Sequence, residues 1–430
     1  MEFTTNMTES VITFFAVPIK FGFGVIDEIG YEVKRLGGKK VLICTDRMVK
    51  KAGYPKKIKK IIEKENIGVD IYDNIHVEPT DKSIEKTVKD LKGNKYDLYL
   101  ALGGGSTIDT TKIVNLLLTH PAPVLDYVNQ PIGGGKPVPG PVKPMLAMPT
   151  TAGTGSETTT VAVLDLTELK IKSGISHSFL RPTMACMDPI LTVSLPPEVT
   201  ASTGMDALVH ALESYTSKPY DQRQKPAHPS QRTVYVGCNP FTDIWDERAI
   251  EFIGQYLRRA VADPYDLEAR WHVMAAATFA GIGFGNTGVH IPHAMAYPLA
   301  SLRHEYKPKG YPVTEPITPH GQAVSITAPA SLRFTAPIWP ARHAIAAELL
   351  GADTTGLTDR EASQFLPEAI IDLMVDIGFP NGISAFGYTD SDIPQIVEGT
   401  IKQQRLLSGC PRHVGEKELT EIAMESMNNW

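Results

Sequence analysis

The chain predicts two parts in series, an α/β N-terminal dinucleotide-binding domain on a parallel sheet and an all-α C-terminal domain. Three observations carry this. Its 430 residues are too many for one ordinary core and suit two domains. Strand-like and helix-like segments alternate through the first half, as in parallel sheets with helices on both faces. From about residue 196 strand signals almost vanish and helical periodicity takes over. The boundary falls in the proline-bearing stretch Asp188–Leu195, which gives domains 1–192 and 193–430.

In order, VLICT (41–45) is a short β-branched run behind a Gly-Gly turn. KKAGYPKKIKKIIEK (50–64) sets isoleucines at helical spacing among lysines, a solvated amphipathic helix rather than a nucleic-acid patch. VDIYD (69–73) reads as strand and SIEKTVKDLK (83–92) as helix. DLYLAL (97–102) is a strand that runs into three glycines, and MLAMPT (145–150) and VAVLDL (161–166) are further strands. LPPEVTASTGMDALVHALESYT opens with a turn and a Ser/Thr cap, then continues as helix. Segments 249–261, 266–284, 341–351 and 365–379 carry the same periodicity, and the proline-rich stretches 218–246 and 307–318 read as loops.

Apolar residues at 42% and charged residues at 21% exclude a disordered chain, and a net charge of −6 builds no field for nucleic acid. Cys44, Cys186, Cys238 and Cys410 are scattered without a CxxC, which disfavours disulfides and a thiolate zinc site. No secretory leader and no long uncharged apolar run are seen. A cytoplasmic enzyme is expected, a homo-oligomer acting on a small-molecule hydroxy acid or alcohol, with neither nucleic acid nor membrane as partner.

LALGGGSTIDTTK (100–112) places three glycines and a serine between a buried strand and a helix start. Backbone there can approach a phosphate, and the helix end offers free N–H groups. It is not G-x-G-x-x-G, and a tight turn with no ligand is the competing reading. PTTAGTGSE (149–157) is a second loop of this kind, suited to a ribose or pyrophosphate. Asp46, at the end of VLICT, can accept both hydroxyls of an adenosine ribose and repel a 2′-phosphate; an exposed turn aspartate is the alternative.

Asp206 and His210 are four apart and share one helix face, the spacing of a two-ligand clamp. His293 and His320 add imidazoles, making with them a donor set for a first-row divalent ion. By residue type alone His290, His304, His343 and His413 compete, and spacing does not choose among them.

Together, TDRMV (45–49), GGGSTID (103–109), PTTAGTGSE, TGMDALVHALESY (203–215), PHAMAYPL (292–299) and PHG (319–321) resemble the iron-containing (group III) alcohol dehydrogenases, which have the dehydroquinate synthase-like fold. The resemblance implies that Asp206, His210, His293 and His320 bind Fe2+ or Zn2+. It implies NAD(H), with NADP(H) as the alternative, held at its pyrophosphate by Gly103, Gly104, Gly105 and Ser106. Asp46 would meet the ribose, Thr150, Thr151 and Thr154 would line the cofactor, and Asp109 matches the acidic position of the glycine-led helix. Lys172 matches a lysine near the nicotinamide ribose. Many members read HAMAHPLG where this chain has Tyr297, so the proton passes through Tyr297 or through water.

The long separation of His293 and His320 and the loop at 217–245 are most similar to one subfamily, hydroxyacid–oxoacid transhydrogenase. Its members oxidise 4-hydroxybutyrate while reducing 2-oxoglutarate. Arg223, Lys225, Arg232, Arg303 and Lys307 are then candidates for a substrate carboxylate, Arg303 first as the extension of the His293 helix. The competing readings are an NAD(P)-dependent alcohol or aldehyde dehydrogenase without carboxylate specificity, and a dehydroquinate synthase-like lyase. The lyase would need a crowd of basic residues for a phosphate near the metal motifs, and the sequence shows none there.

Overall fold

The computed structural model describes residues 8–169, 171–302, 305–311 and 316–430. They form two compact units, one comprising Ala16–Leu195 and Pro264–Met274. The other takes the described residues up to Phe15, Pro196–Asp263 and the described part of Ala275–Trp430.

In the first unit, strands β1 (Ile19–Phe21), β2 (Lys40–Thr45), β3 (Gly68–Tyr72), β4 (Leu98–Gly103), β5 (Met145–Pro149) and β8 (Met184–Met187) form one sheet in the order β1-β8-β5-β4-β2-β3. Every neighbouring pair is parallel. The helices between them are α1 (Val25–Arg35), α2 (Arg47–Lys51), α3 (Tyr54–Glu63), α4 (Asp81–Leu91), α5 (Gly105–Thr119) and the short α6 (Val124–Tyr127). Side chains alternate across each strand, so β4 sends Leu98, Leu100 and Leu102 to a core with α1 and α3. Tyr99 and Ala101 go to a second core with α4 and α5. Burial on both faces explains why these strands read as continuous apolar runs. Chain order reverses at β2 and β4: β3 lies on one side of β2, whereas β4, β5 and β8 extend on the other. The crevice beyond the carboxyl ends of two such strands is where open α/β sheets bind ligands.

Two segments depart from the sequence reading. VAVLDL is β6 (Val161–Leu166), which pairs antiparallel with β7 (Ile171–Ser176) in a separate hairpin. Its alternating burial marks a strand with one open face, unlike the sheet strands. The lysine-rich segment is two helices, broken at Gly53, whose φ of 86° is left-handed and favours glycine.

From residue 196 onward come α7 (Pro197–Thr216), α8 (Pro240–Ala262), α9 (Leu267–Thr287), α10 (Ile291–Ser301), α11 (His320–Ser325), α12 (Ala328–Thr335), α13 (Pro340–Leu349), α14 (Asp359–Ala362), α15 (Phe365–Asp376), α16 (Ile393–Ile401), α17 (Gln404–Leu407) and α18 (Glu416–Glu425). The expected loop at 218–246 ends early, because Asn239 caps α8 and Pro240 takes its first turn, where a missing N–H costs nothing. Ile291, Met295 and Leu299 of α10 pack with Val324, Ile396, Leu406, Leu407 and Leu419 into one core.

His343, one of the competing histidines, is a core residue of α13. Its ring contacts Thr335 Oγ1 at 2.9 Å and the Trp339 carbonyl at 2.9 Å, and burial pushes its pKa down to about 4. The unfolded chain, with a histidine near the ordinary 6.5, therefore binds the proton first as pH falls. We expect this side chain to cost about 3 kcal/mol of stability between pH 6.5 and 4 and to add nothing above 6.5. Urea titrations of wild type and His343→Gln at these pH values check this. Equal pH slopes for the two proteins would refute it.

Candidate functional site

Asp206, His210, His293 and His320 come together in the helical unit. One donor atom from each lies within 4.8 Å of all the others. Asp206 and His210 face the same way from α7, with Asp206 Oδ1 3.9 Å from His293 Nε2 and 3.9 Å from His320 Nε2. His210 Nε2 and His293 Nε2 are 2.9 Å apart. The first three residues are buried and His320 is half-buried. His320 begins α11, and a Cβ on Gly321 would collide with the Ser202 carbonyl, so the glycine lets α11 lie against α7. Phe284 stacks on His210 with ring centroids 4.0 Å apart and fixes its plane. Three imidazoles and one carboxylate, converging and largely dry, fit a divalent first-row ion.

Behind this cluster lies Glu213, which sequence reasoning missed. It is fully buried and hydrogen-bonded to His293 Nδ1, and its Oε1 accepts the backbone N–H of His290 at 2.6 Å and of His293 at 3.4 Å. Burial would raise its pKa, but the charge and hydrogen bond of His293, with His290 and the backbone N–H groups, outweigh it and hold the carboxyl below its ordinary value. The signal was present: 206, 210 and 213 are i, i+4 and i+7 on one helical stripe. His290 caps the start of α10 and sets its Nε2 3.2 Å from Thr216 Oγ1, so it belongs to the surroundings. Tyr297 is one turn past His293 and buried in the α10 core.

In the α/β unit the glycine run and the threonine loop form one surface at the strand-order reversal. A Cβ on Gly105 would fall 2.6 Å from Thr154 Cγ2, so glycine there lets the loops meet this closely, and one on Gly104 would crowd Thr151 Cγ2 at 3.3 Å. Thr150 follows β5, its N–H donating to the Gly103 carbonyl at 3.1 Å. No side chain caps α5, so the N–H groups of Gly105 and Ser106 at its start are left for a ligand. Ser106 Oγ accepts the N–H of Glu78 at 3.2 Å.

Asp109 and Lys112 brace this surface from beneath. Asp109 accepts from Ser156 Oγ and, at 2.9 Å, from the Val163 N–H, while Lys112 donates to Ser156 Oγ at 2.9 Å and to the Val161 carbonyl at 2.7 Å. Burial pushes the Lys112 pKa down to about 8. Asp109 therefore holds the threonine loop. Asp46 caps α2 through Oδ1, accepting from Met48 and Val49 at 2.8 and 3.0 Å, which turns Oδ2 toward Thr107. Lys172 sits on β7, buried and ion-paired with Glu78, a non-glycine residue at φ 59°.

The substrate cations fare differently. Arg232 is ion-paired with Glu9, with Nε 2.8 Å from Oε2 and Nη2 3.2 Å from Oε1. That pairing with a buried carboxylate engages its guanidinium within the protein. Arg303 lies outside the described residues, as does His304.

Comparison with known proteins gives a consistent result. Residues 17–189 match the family described as iron-containing alcohol dehydrogenase, and residues 228–427 match the Fe-containing alcohol dehydrogenase family, C-terminal. A mitochondrial hydroxyacid-oxoacid transhydrogenase of Rattus norvegicus is 43% identical over 411 residues, covering 95% of this chain and 88% of that protein. The crystal structure of a 1,3-propanediol oxidoreductase superposes with a TM-score of 0.85 at 30% identity, covering 97% of this chain and 100% of that one. A sulfoacetaldehyde reductase from Bifidobacterium kashiwanohense, in complex with NAD+, gives a TM-score of 0.80 at 27% identity, covering 97% and 99%. The fold is that of these enzymes. The cytoplasmic location expected from the sequence is overturned, because the transhydrogenase relatives are mitochondrial. Four free, buried cysteines fit a reducing interior and distinguish nothing finer.

Proposed function

The chain belongs to the iron-containing alcohol dehydrogenase family, and on that premise we propose that it is a hydroxyacid–oxoacid transhydrogenase. The convergence of Asp206, His210, His293 and His320 carries the oxidoreductase chemistry, and identity with the transhydrogenases supports the subtype. Those four side chains would hold Fe2+ or Zn2+; zinc binds such donors more tightly, so supply decides occupancy. NAD(H) would lie on the loop surface, with its pyrophosphate at Gly103, Gly104, Gly105 and Ser106 and its walls at Thr150, Thr151 and Thr154. The carboxylate of Asp46 favours a free ribose over a 2′-phosphate. When bound, the metal supplies positive charge that eases loss of the hydroxyl proton, and the nicotinamide supplies the hydride acceptor.

The protein's share is positioning. Asp206 offsets part of the ion's charge, Phe284 keeps His210 in plane, and Glu213 orients His293. Tyr297, on the same face of α10 as His293, is the side chain we assign to the leaving proton. The Lys172–Glu78 pair ties the β7 strand to the residue that touches Ser106. In the balanced cycle, 4-hydroxybutyrate loses its hydroxyl proton and a hydride from C4 to become succinate semialdehyde. Carbon 2 of 2-oxoglutarate then receives the hydride, and its oxygen a proton, to give 2-hydroxyglutarate.

The test is turnover of these two acids with and without added NAD. Exchange should run on enzyme as purified, without stoichiometric free NAD, and 4-hydroxybutyrate should outcompete 1-butanol. A requirement for stoichiometric NAD, or a preference for butanol, would make the enzyme a general alcohol dehydrogenase instead.

A further inference from the structure

Of the inserted segment 217–245, the part around Tyr235 runs beside the end of α9 and the turn that leads into the helix carrying His293, with the Val236 N–H donating to the Asn286 carbonyl at 2.8 Å. Tyr235 lies against Gly288, where a Cβ would meet its side chain at 3.3 Å, and Gly288 stands just before the His290 cap of α10. The start of the insertion is tied to a second segment, with the Lys218 N–H donating to the Gly409 carbonyl at 2.8 Å. Gly409 in turn sits where a Cβ would fall 2.6 Å from the Val289 carbonyl. Just before it, α17 anchors Leu406 and Leu407 in the core of α10. Insertion, α17 and the start of α10 therefore make one packed corner, five residues from His293 at its nearest named glycine.

Arg405 is an exposed cation of that corner. Its guanidinium lies 5.7 Å from the centre of the Tyr235 ring, which the inserted segment supplies. Among the described residues no carboxylate pairs with it, in contrast to Arg232, Arg333 and Arg342. A cation held on an aromatic face at the corner that leads into the His293 helix, without a counter-ion among the described residues, is suited to an anionic group on a ligand.

We propose that Arg405, seated on Tyr235, binds the carboxylate of both the hydroxy acid and the oxo acid. The inference rests on the transhydrogenase reading and deepens it. The two substrates share one spacing: the reacting carbon and a carboxyl carbon are three bonds apart in 4-hydroxybutyrate, from C4 to C1. They are equally three bonds apart in 2-oxoglutarate, from C2 to C5. One fixed cation can thus place either reacting carbon at the same point, so a single nicotinamide position serves both half-reactions. An alcohol without a carboxylate gains nothing from it.

Arg405→Met and Arg405→Lys test this, with Arg232→Met as the contrast. Arg405→Met should lower kcat/KM for 4-hydroxybutyrate and for 2-oxoglutarate by about 100-fold relative to its effect on 1-butanol and butanal. Most of the loss should fall on KM, Arg405→Lys should recover part of it, and millimolar guanidinium should partly rescue an Arg405→Ala variant. Bound metal and NAD content should not change, and Arg232→Met should keep the acid preference. Should Arg405→Met harm acids and neutral substrates equally, or harm only one of the two acids, Arg405 is not the shared anchor. A wild type that prefers butanol would instead sink the transhydrogenase reading itself, and the two failures are told apart by that measurement alone.

Discussion

His293→Ala and His210→Ala are expected to purify without a divalent ion and to lose activity at least about a thousandfold, the equivalent of roughly 4 kcal/mol of lost charge stabilisation. Each substitution removes one of four donors that lie within 4.8 Å of one another in a largely buried pocket. Three remaining donors leave the ion's charge less compensated where water cannot easily replace the missing ligand. His293→Ala carries a second penalty, since Glu213 would then stay buried without its imidazole partner. His290→Ala is the contrast. It keeps all four donors, so we expect metal to be retained while the melting temperature falls, because Thr216 loses a buried partner. Metal analysis beside kcat for the three variants checks this. Normal metal content in His210→Ala or His293→Ala would refute the ligand assignment.

What the sequence revealed depended on how local the cause was. β4 and β5 were legible because strands buried on both faces must be apolar throughout. The glycine run was legible because close loop packing leaves no room for a Cβ, as the Thr154 contact of Gly105 shows. The strands β1, β7 and β8 were not: β1 and β7 are of mixed polarity and β8 is only four residues long, and such segments become strands only when a neighbour supplies the ladder. The start of α8 was misread because Pro240 breaks a helix interior but suits a helix start, and only the Asn239 cap separates the cases. At the site, residue type offered eight histidine and carboxylate candidates and spacing could not choose, whereas chain topology brings four together. Arg405 was invisible for a different reason: it lies 112 residues beyond His293, and only packing of α17 on α10 joins them.

Glu213→Gln is expected to damage metal binding more than Glu213→Ala does. An ionised Glu213 only accepts hydrogen bonds, so it obliges His293 to carry its proton on Nδ1 and to leave the Nε2 lone pair facing Asp206, His210 and His320. It also adds a negative charge to that of Asp206, which together balance a divalent ion, and no lysine or arginine pairs with it among the described residues. A glutamine fits the same space but has one oxygen and one NH2 group. Its oxygen is best used by the N–H groups of His290 and His293, which bond Oε1 now. The NH2 then faces His293 Nδ1 and turns that nitrogen into an acceptor, which puts the proton on Nε2, where the ion would bind. Alanine imposes neither tautomer, and a water can fill the space. Affinity for Co2+ or Zn2+, measured by competition with a chromophoric chelator, should drop about 100-fold for Glu213→Gln and about tenfold for Glu213→Ala. The Co2+ visible spectrum should shift in both, because the donor strength of His293 changes. A residue that merely fills space would lower the melting temperature of metal-free protein and leave affinity and spectrum alone. Glutamine binding the ion as tightly as wild type, or alanine being the worse of the two, would show that Glu213 does not set the tautomer of His293.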